Sequence, residues 1–348
     1  MSTLTRRCHF LALLAIVVTA HAAVTMEPAP ATILTAERPI DNAWVESETL
    51  DGVVFYLGDW KAPTRVAVTR KPGQYQKVVY TGNNDVNFMK AEVQFANGDW
   101  DKAADSYKKA TTTGKWNWEV EQAYRRATEA LAHSNKGPDA LAVQKEYLAR
   151  YPKNVHMAEV VSLRARLAMA AGDYASAMTD FQEMVKQGGK WGPTAELDGY
   201  LGQHLVLAAQ KKFADAVALL TPYWAKLKPD TDAEAFGQVA LAIASDSDAD
   251  GKTAECIAVL KKTYLAPIAV EAQAQARLHH ARLLAKANDT ESNLAAFDQV
   301  AMAALLGGDA ETAAAAGKLA RELIGRIDKD AKLSDLVHKE YRSYLSSL

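Results

Sequence analysis

The most specific chemical pattern in the chain is the run Asp246-Ser247-Asp248-Ala249-Asp250-Gly251. Aspartates at alternate positions before a glycine are typical of the start of a calcium loop, because their oxygens converge on the ion while the glycine makes a sharp turn. The twelfth position of such a loop requires a bidentate glutamate, but Ile257 stands there and Glu255 comes two places early. The three aspartates are therefore a weak calcium candidate, and a polar turn between two helices is the favoured interpretation.

The histidines and cysteines form no catalytic constellation. His279 and His280 are adjacent, and neighbours on a helix point about 100° apart, which prevents them from easily sharing a metal ion. Cys256 is the only cysteine after residue 22, and we expect it to be a small buried hydrophobe. The sequence has no glycine-rich phosphate loop, nucleophile elbow or zinc motif. We therefore predict a protein that is not an enzyme and has no cofactor.

Three tryptophans, Trp116, Trp118 and Trp191, lie at predicted junctions between helical segments. Packing at the junctions is the expected role of these rings. Exposed and coplanar rings would instead stack on sugars or hold a peptide. A glycan-binding alternative depends on these residues.

The N-terminus has the features of a secretory signal peptide. Arg6 and Arg7 precede an apolar run over residues 10–20, and Ala20-His21-Ala22 offers the small residues that a signal peptidase recognises. Cleavage after Ala22 would remove residues 1–22 and give a periplasmic or secreted protein. No later segment is apolar over about 18 residues, so none is expected to span a membrane. The net charge of −2 gives no polybasic surface for nucleic acid.

The residues before the helical part fall into two segments. Residues 23–43 contain three prolines and are predicted to be an irregular leader. Residues 44–82 are predicted to form a three-stranded meander over Val53–Leu57, Arg65–Val68 and Tyr75–Tyr80, because β-branched and aromatic runs alternate with turn signals there. Three strands are about the minimum for independent stability, so we expect this small β-rich segment to pack on the helices.

From residue 83 to 305 the hydrophobic period is helical, and the pattern repeats every 37 to 40 residues. Each unit has one reference residue, here called the anchor. The anchors are Ala103, Ala140, Ala177, Ala216, Cys256 and Asn293.

Three features recur at fixed distances from the anchors. A mostly small residue lies twelve positions earlier, where two antiparallel helices must approach closely. A glycine or asparagine lies five positions earlier in every unit except the fourth, which has Lys211, and these residue types tolerate the left-handed conformation that ends a helix. A large residue lies four positions later, one turn along the same helix face. Each unit is therefore predicted to be a helical hairpin.

These features resemble the tetratricopeptide repeat (TPR) family, most clearly in the turns Gly98-Asp99-Trp100 and Gly172-Asp173-Tyr174. The resemblance implies an all-α fold, a helical-hairpin solenoid of about six TPR-like repeats after the small β meander. Residues 306–348 are predicted to be capping helices, because the last repeat of a solenoid has no neighbour to cover it.

The resemblance also implies a concave face lined by the first helix of each unit, on which a protein or peptide binds. Four polar residues lie on predicted first helices where packing alone would favour apolar groups, and they are the partner-binding candidates together with the junction tryptophans. They are Gln94, Arg164, Gln203 and His204. We therefore predict a non-catalytic exported scaffold, with an envelope glycan-binding protein as the alternative.

Overall fold

The computed structural model describes residues 26–82, 84–333 and 335–345. The predicted signal peptide, its cleavage site and the first residues of the predicted leader lie outside the described residues. The side chains of Tyr344 and Leu348, which belong to the predicted last helix, are not described either.

In the described residues the chain forms five strands followed by fourteen helices, which confirms the predicted fold class. The strands are β1 (Ala29–Leu34), β2 (Ile40–Thr49), β3 (Gly52–Leu57), β4 (Val68–Arg70) and β5 (Lys77–Tyr80). The helices are α1 (Val86–Ala96), α2 (Trp100–Thr113), α3 (Asn117–His133), α4 (Gly137–Arg150), α5 (Met157–Ala170), α6 (Tyr174–Gln187), α7 (Ala195–Ala209), α8 (Phe213–Trp224), α9 (Ala233–Ala249), α10 (Thr253–Tyr264), α11 (Val270–Ala285), α12 (Thr290–Leu306), α13 (Ala310–Ile327) and α14 (Asp335–Leu345).

The helices α1 to α12 pair into six hairpins, and the predicted repeat register holds in all of them. Every anchor is buried, including Cys256 at 0% and Asn293 at 6% exposure. The residues twelve positions earlier and four positions later are buried as well. The anchor, the residue twelve positions before it and the residue four positions after it therefore form the contact between the two helices of each hairpin. The anchor and the residue four positions later share one face of the second helix.

The turn inside each hairpin has one left-handed residue, five positions before the anchor. These residues are Gly98, Asn135, Gly172, Lys211, Gly251 and Asn288, and all have φ between 53° and 79°. In the fourth unit, the N–H of Lys211 donates to Ala208 and the N–H of Lys212 donates to Leu207, which closes the end of α7. Lys211 therefore adopts the turn conformation although it has a Cβ.

Replacing Lys211 by glycine is expected to raise the free energy of unfolding by about 1 kcal/mol. A non-glycine residue in the left-handed region is strained by roughly this amount, and the exposed Lys211 side chain makes no compensating contact with the described residues. Chemical denaturation of both proteins would measure the difference. Lys211→Ala is the control, because it removes the side chain and keeps the strain; an equal gain from alanine would contradict the explanation.

The sheet is larger than the predicted meander. All neighbouring strands are antiparallel in the order β4-β3-β2-β1-β5, so β5 returns to pair with β1. The prediction that residues 23–43 are irregular is wrong for the described part, because β1 and the start of β2 lie there. Pro30 lacks a donor, but its carbonyl still accepts the N–H of Thr81.

The sheet docks beside the second hairpin. The N–H of Leu50 donates to the Lys153 carbonyl in the α4–α5 loop, and Lys153 forms an ion pair of 2.6 Å with Asp51. The Asn117 side chain, at the start of α3, donates to the Glu46 carbonyl. The β-rich segment therefore packs on helices, as expected, but against α3 and the α4–α5 loop.

The last two helices cover the C-terminal end of the array. Helix α13 packs against α11 as well as α12, which is the position that a further first helix would take. Leu333 and Tyr341 pack on the core of the sixth hairpin, where the Tyr341 ring meets Phe297 edge-on. Among the described helices, none is both long and apolar enough to cross a membrane.

Candidate functional site

The structure places His204 in the core. The ring is 9% exposed, and Nδ1 lies 2.6 Å from Oδ2 of Asp246, which is 2% exposed. His204 lies on α7 and Asp246 on α9, so the pair joins the first helices of the fourth and fifth hairpins. The prediction that this ring faces a binding groove is not supported, because the ring is buried and its Nδ1 contacts Asp246 inside the protein.

The other polar candidates also have partners within the fold. The Gln94 carbonyl oxygen accepts the hydroxyl of Ser106, and the buried Gln203 amide lies 3.4 Å from the Gly199 carbonyl. Arg164 forms a two-point ion pair with the buried carboxylate of Asp180, at 2.8 Å and 2.6 Å. These contacts lie within single helices or hairpins and stabilise them.

Arg164 also lines an open groove between the second helices α4 and α6, together with Leu141 and Thr179. The four polar candidates therefore do not form a common site.

The tryptophan rings mostly pack against other rings. Trp116 is 6% exposed and lies against Gly82, while Trp191 is half-buried beside the core of the third hairpin. Trp118 stacks on Tyr80 at a centroid distance of 4.9 Å and on Trp116 at 6.3 Å. These three tryptophans do not form an exposed coplanar platform.

The weak calcium candidate, the run from Asp246 to Gly251, lies at the end of helix α9 and in the turn that follows it. Asp246 and Asp248 lie inside α9, and Asp250 follows its last residue. Asp246 binds His204, Asp248 pairs with Lys286 at 3.0 Å, and Asp250 pairs with Lys252 at 3.0 Å. The three carboxylates point to different partners, and the described part of the chain contains no group of three His, Cys, Asp or Glu side chains placed to hold a metal ion.

A groove on the first helices is an open surface that combines several charged groups. It consists of two adjoining depressions, one on each side of α11, here called the α11 groove. Ser245 and Asp248 of α9 line one side, Asp309 and Thr312 line the other, and Gln275 and Arg282 of α11 line both.

Charges in the α11 groove are only partly neutralised. Asp248 receives hydrogen bonds from Lys286 and lies 3.5 Å from His279. Burial opposes ionisation of Asp248, but these contacts outweigh it and lower the pKa of the carboxyl. Burial also lowers the pKa of His279, which favours the neutral ring. Arg282 is exposed, and its side chain forms no hydrogen bond or ion pair with the described residues. It is therefore available to bind an acceptor from another molecule.

A second cavity, about 90 Å³ in volume, lies between the sheet and α3. Its lining includes the carboxylates of Glu48 and Glu121 and the ring of Trp118. The Tyr80 hydroxyl donates to Glu48 at 3.0 Å, and the Tyr147 hydroxyl donates to Glu121 at 3.1 Å. No local sequence pattern predicts this cluster, because its members come from β2, β5, α3 and α4.

Burial raises the pKa of both carboxyl groups in this cavity. The pKa of Glu121 rises to about 7, since desolvation and the nearby charge of Glu48 outweigh the hydrogen bond from Tyr147. The pKa of Glu48 also rises, mainly through desolvation. Glu121 can therefore take up a proton near neutral pH.

No known family model matches the chain. No curated protein matches its sequence. Solved structures of similar fold include a tetratricopeptide repeat protein from Parabacteroides merdae, at 15% identity and a TM-score of 0.35, with 67% of this chain and 96% of that chain covered. They also include the C-terminal part of a TPR repeat-containing protein from Cytophaga hutchinsonii, at 15% identity and a TM-score of 0.41, with 74% and 99% covered.

The repeat geometry of the chain itself decides the kind of fold. A helical hairpin, a left-handed turn residue and a buried anchor recur in all six units. The helical array is TPR-like. In this TPR-like array the α11 groove lies on consecutive first helices, the face that the sequence resemblance implies for partner binding.

Proposed function

We propose that the chain is an exported scaffold that binds a protein or peptide partner along the α11 groove. The observation that carries this proposal is Arg282, an exposed arginine that belongs to both depressions and has no partner among the described residues. A guanidinium group offers a rigid set of donors for carboxylate or carbonyl oxygens. A peptide lying across α9, α11 and α13 would supply such acceptors.

The glycan alternative has less support. It requires tryptophan faces that are free to stack on sugar rings, and the faces of Trp116 and Trp118 are used in the stack with Tyr80.

The proposal that the protein is exported rests on the signal-peptide pattern of residues 1–22. Expression in a bacterium with a periplasm, followed by fractionation and N-terminal sequencing, should find the protein in the periplasm or medium with Ala23 first.

The binding proposal is tested by capture from an envelope extract, identification of the bound protein by mass spectrometry, and titration of that purified protein by calorimetry. Arg282→Ala is expected to weaken binding tenfold to a hundredfold, because a charge-assisted hydrogen bond contributes roughly 1.5–3 kcal/mol. The melting temperature should not change, since Arg282 has no partner within the described fold.

Arg321→Ala is the matched control, because Arg321 is an exposed arginine on α13 that does not line the groove. Its partner affinity should equal that of the parent protein. If the Arg282 and Arg321 variants bind the partner with equal affinity, the partner does not bind at the α11 groove.

A further inference from the structure

The two depressions of the α11 groove carry opposite charge. In the depression between α9 and α11, Asp248 pairs with Lys286 at 3.0 Å, and the exposed Arg282 adds a positive charge that forms no ion pair with the described residues. His279 lies beside Asp248, and burial lowers the pKa of its ring, which favours the neutral form. Two positive groups therefore face one negative group in this depression.

The depression between α11 and α13 contains two carboxylates from the start of α13. Asp309 accepts the backbone N–H of Thr312 at 2.7 Å and the side-chain amide of Gln275 at 3.0 Å, and the hydrogen bond from Thr312 is the main reason that its pKa is lowered. Glu311 is exposed and forms no hydrogen bond or ion pair with the described residues. Arg282 is the only cation among the described residues that line this depression, so negative charge is in excess there.

The spacing of the two depressions fits an extended peptide that crosses α11. Packed helices lie about 8–10 Å apart, so depressions on the two sides of one helix are separated by roughly the same distance. An extended chain advances about 3.3 Å per residue, and its side chains alternate between two faces. Side chains two or four residues apart therefore share a face and lie about 7 or 13 Å apart. A segment with one acidic and one basic side chain at such a spacing can place one of them in each depression.

We propose that the α11 groove selects an extended peptide of mixed charge, with an acidic side chain at Arg282 and Lys286 and a basic side chain at Glu311. This inference rests on the proposed function, because it specifies the partner of the same groove. A uniformly acidic segment would place a carboxylate beside Asp309 and Glu311, and a uniformly basic segment would place a cation beside Arg282. Like charges at an interface weaken binding, so the groove discriminates by repulsion as well as by attraction.

Binding of the purified protein to an array of synthetic peptides tests the proposal. Each peptide carries glutamate, glutamine or lysine at two positions, spaced by two or four residues as the extended geometry requires, and serine or alanine elsewhere. Peptides with one glutamate and one lysine should bind about fivefold more tightly than those with two glutamates or two lysines, which is the range that an exposed ion pair contributes. The preference should weaken at high salt, because exposed charges are screened.

Charge reversal at Glu311 gives the decisive comparison. With Glu311→Lys, peptides with two glutamates should bind best, because both depressions then carry an excess of positive charge. Glu311→Gln should remove the preference for lysine without reversing it. Glu322→Lys is the matched control, because Glu322 is an exposed glutamate on the same helix that does not line the groove, and its preference should equal that of the parent. Circular dichroism should show that each variant is folded.

The outcomes distinguish this inference from the proposed function. Arg282→Ala should lower the binding of the mixed-charge peptides. If binding depends on Arg282 but shows no preference for mixed charge, or if Glu311→Lys leaves the preference unchanged, the inference is overturned and the groove remains the binding site. If no peptide binds, or if Arg282→Ala affects none of them, the inference is also overturned, and the calorimetric titration with the captured protein decides the proposed function separately.

Discussion

His204→Ala is expected to lower the free energy of unfolding by about 3 kcal/mol. The substitution leaves the carboxylate of Asp246, which is 2% exposed, without its partner inside the protein. Removing one partner of a buried hydrogen bond to a carboxylate is strongly destabilising, because the remaining group keeps its desolvation penalty and loses its compensation. Urea denaturation monitored by circular dichroism would measure the loss. The capture of a partner at the α11 groove should be unaffected in folded protein.

Two further variants distinguish the loss of the His204–Asp246 contact from the loss of a side chain alone. The double variant His204→Ala, Asp246→Ala should recover part of the loss, because no unpaired buried charge remains. His156→Ala should change stability by less than about 0.5 kcal/mol, since that side chain is 38% exposed and its partner Glu159 is mostly in solvent. If His204→Ala leaves stability unchanged and abolishes capture, the ring contacts the partner and the structural interpretation fails.

Glu121 is expected to make the protein less stable as the pH rises from 5 to 8. Its pKa is raised by burial from the ordinary value of 4.5 to about 7 in the folded protein. The folded state therefore holds a proton that the unfolded state releases at lower pH. The stabilisation is complete below about pH 4.5 and is lost as the pH rises through about 7.

Glu121→Gln should therefore raise stability by about 1–2 kcal/mol at pH 8 and flatten the pH profile. The full shift would correspond to about 3 kcal/mol, and partial exposure of the side chain reduces it. The neutral amide keeps an oxygen that can accept the Tyr147 hydroxyl. Denaturation midpoints at several pH values, read from tyrosine and tryptophan fluorescence, would show the change.

Glu146→Gln is the control, because Glu146 is exposed on α4 and makes no side-chain contact with the described residues. Its pH profile should match that of the parent within about 0.5 kcal/mol. A Glu121→Gln profile as steep as that of the parent would show that another group, such as Glu48, controls the pH dependence.

The sequence by itself determined the repeat architecture of this protein. Two helices that approach closely require small side chains at their contact, and the tight turn between them requires a residue in the left-handed conformation. Both requirements therefore place particular residue types at fixed spacings in the sequence. Ala103, Gly98 and Tyr107 show these spacings, and their equivalents could be aligned without coordinates. Even Lys211, the unfavourable residue type, was placed correctly by its distance from Ala216.

The tertiary structure alone decided which polar groups meet. His204 and Asp246 are 42 residues apart, and β1 pairs with β5 across more than 40 residues, so neither contact leaves a local pattern. The prolines of residues 23–43 therefore predicted a loop where long-range pairing made a strand. Glu48 and Glu121 came together for the same reason. The burial and the ionisation of a side chain depend on the residues that pack against it from distant parts of the chain. Sequence periodicity indicates only the face of the helix or strand on which that side chain lies.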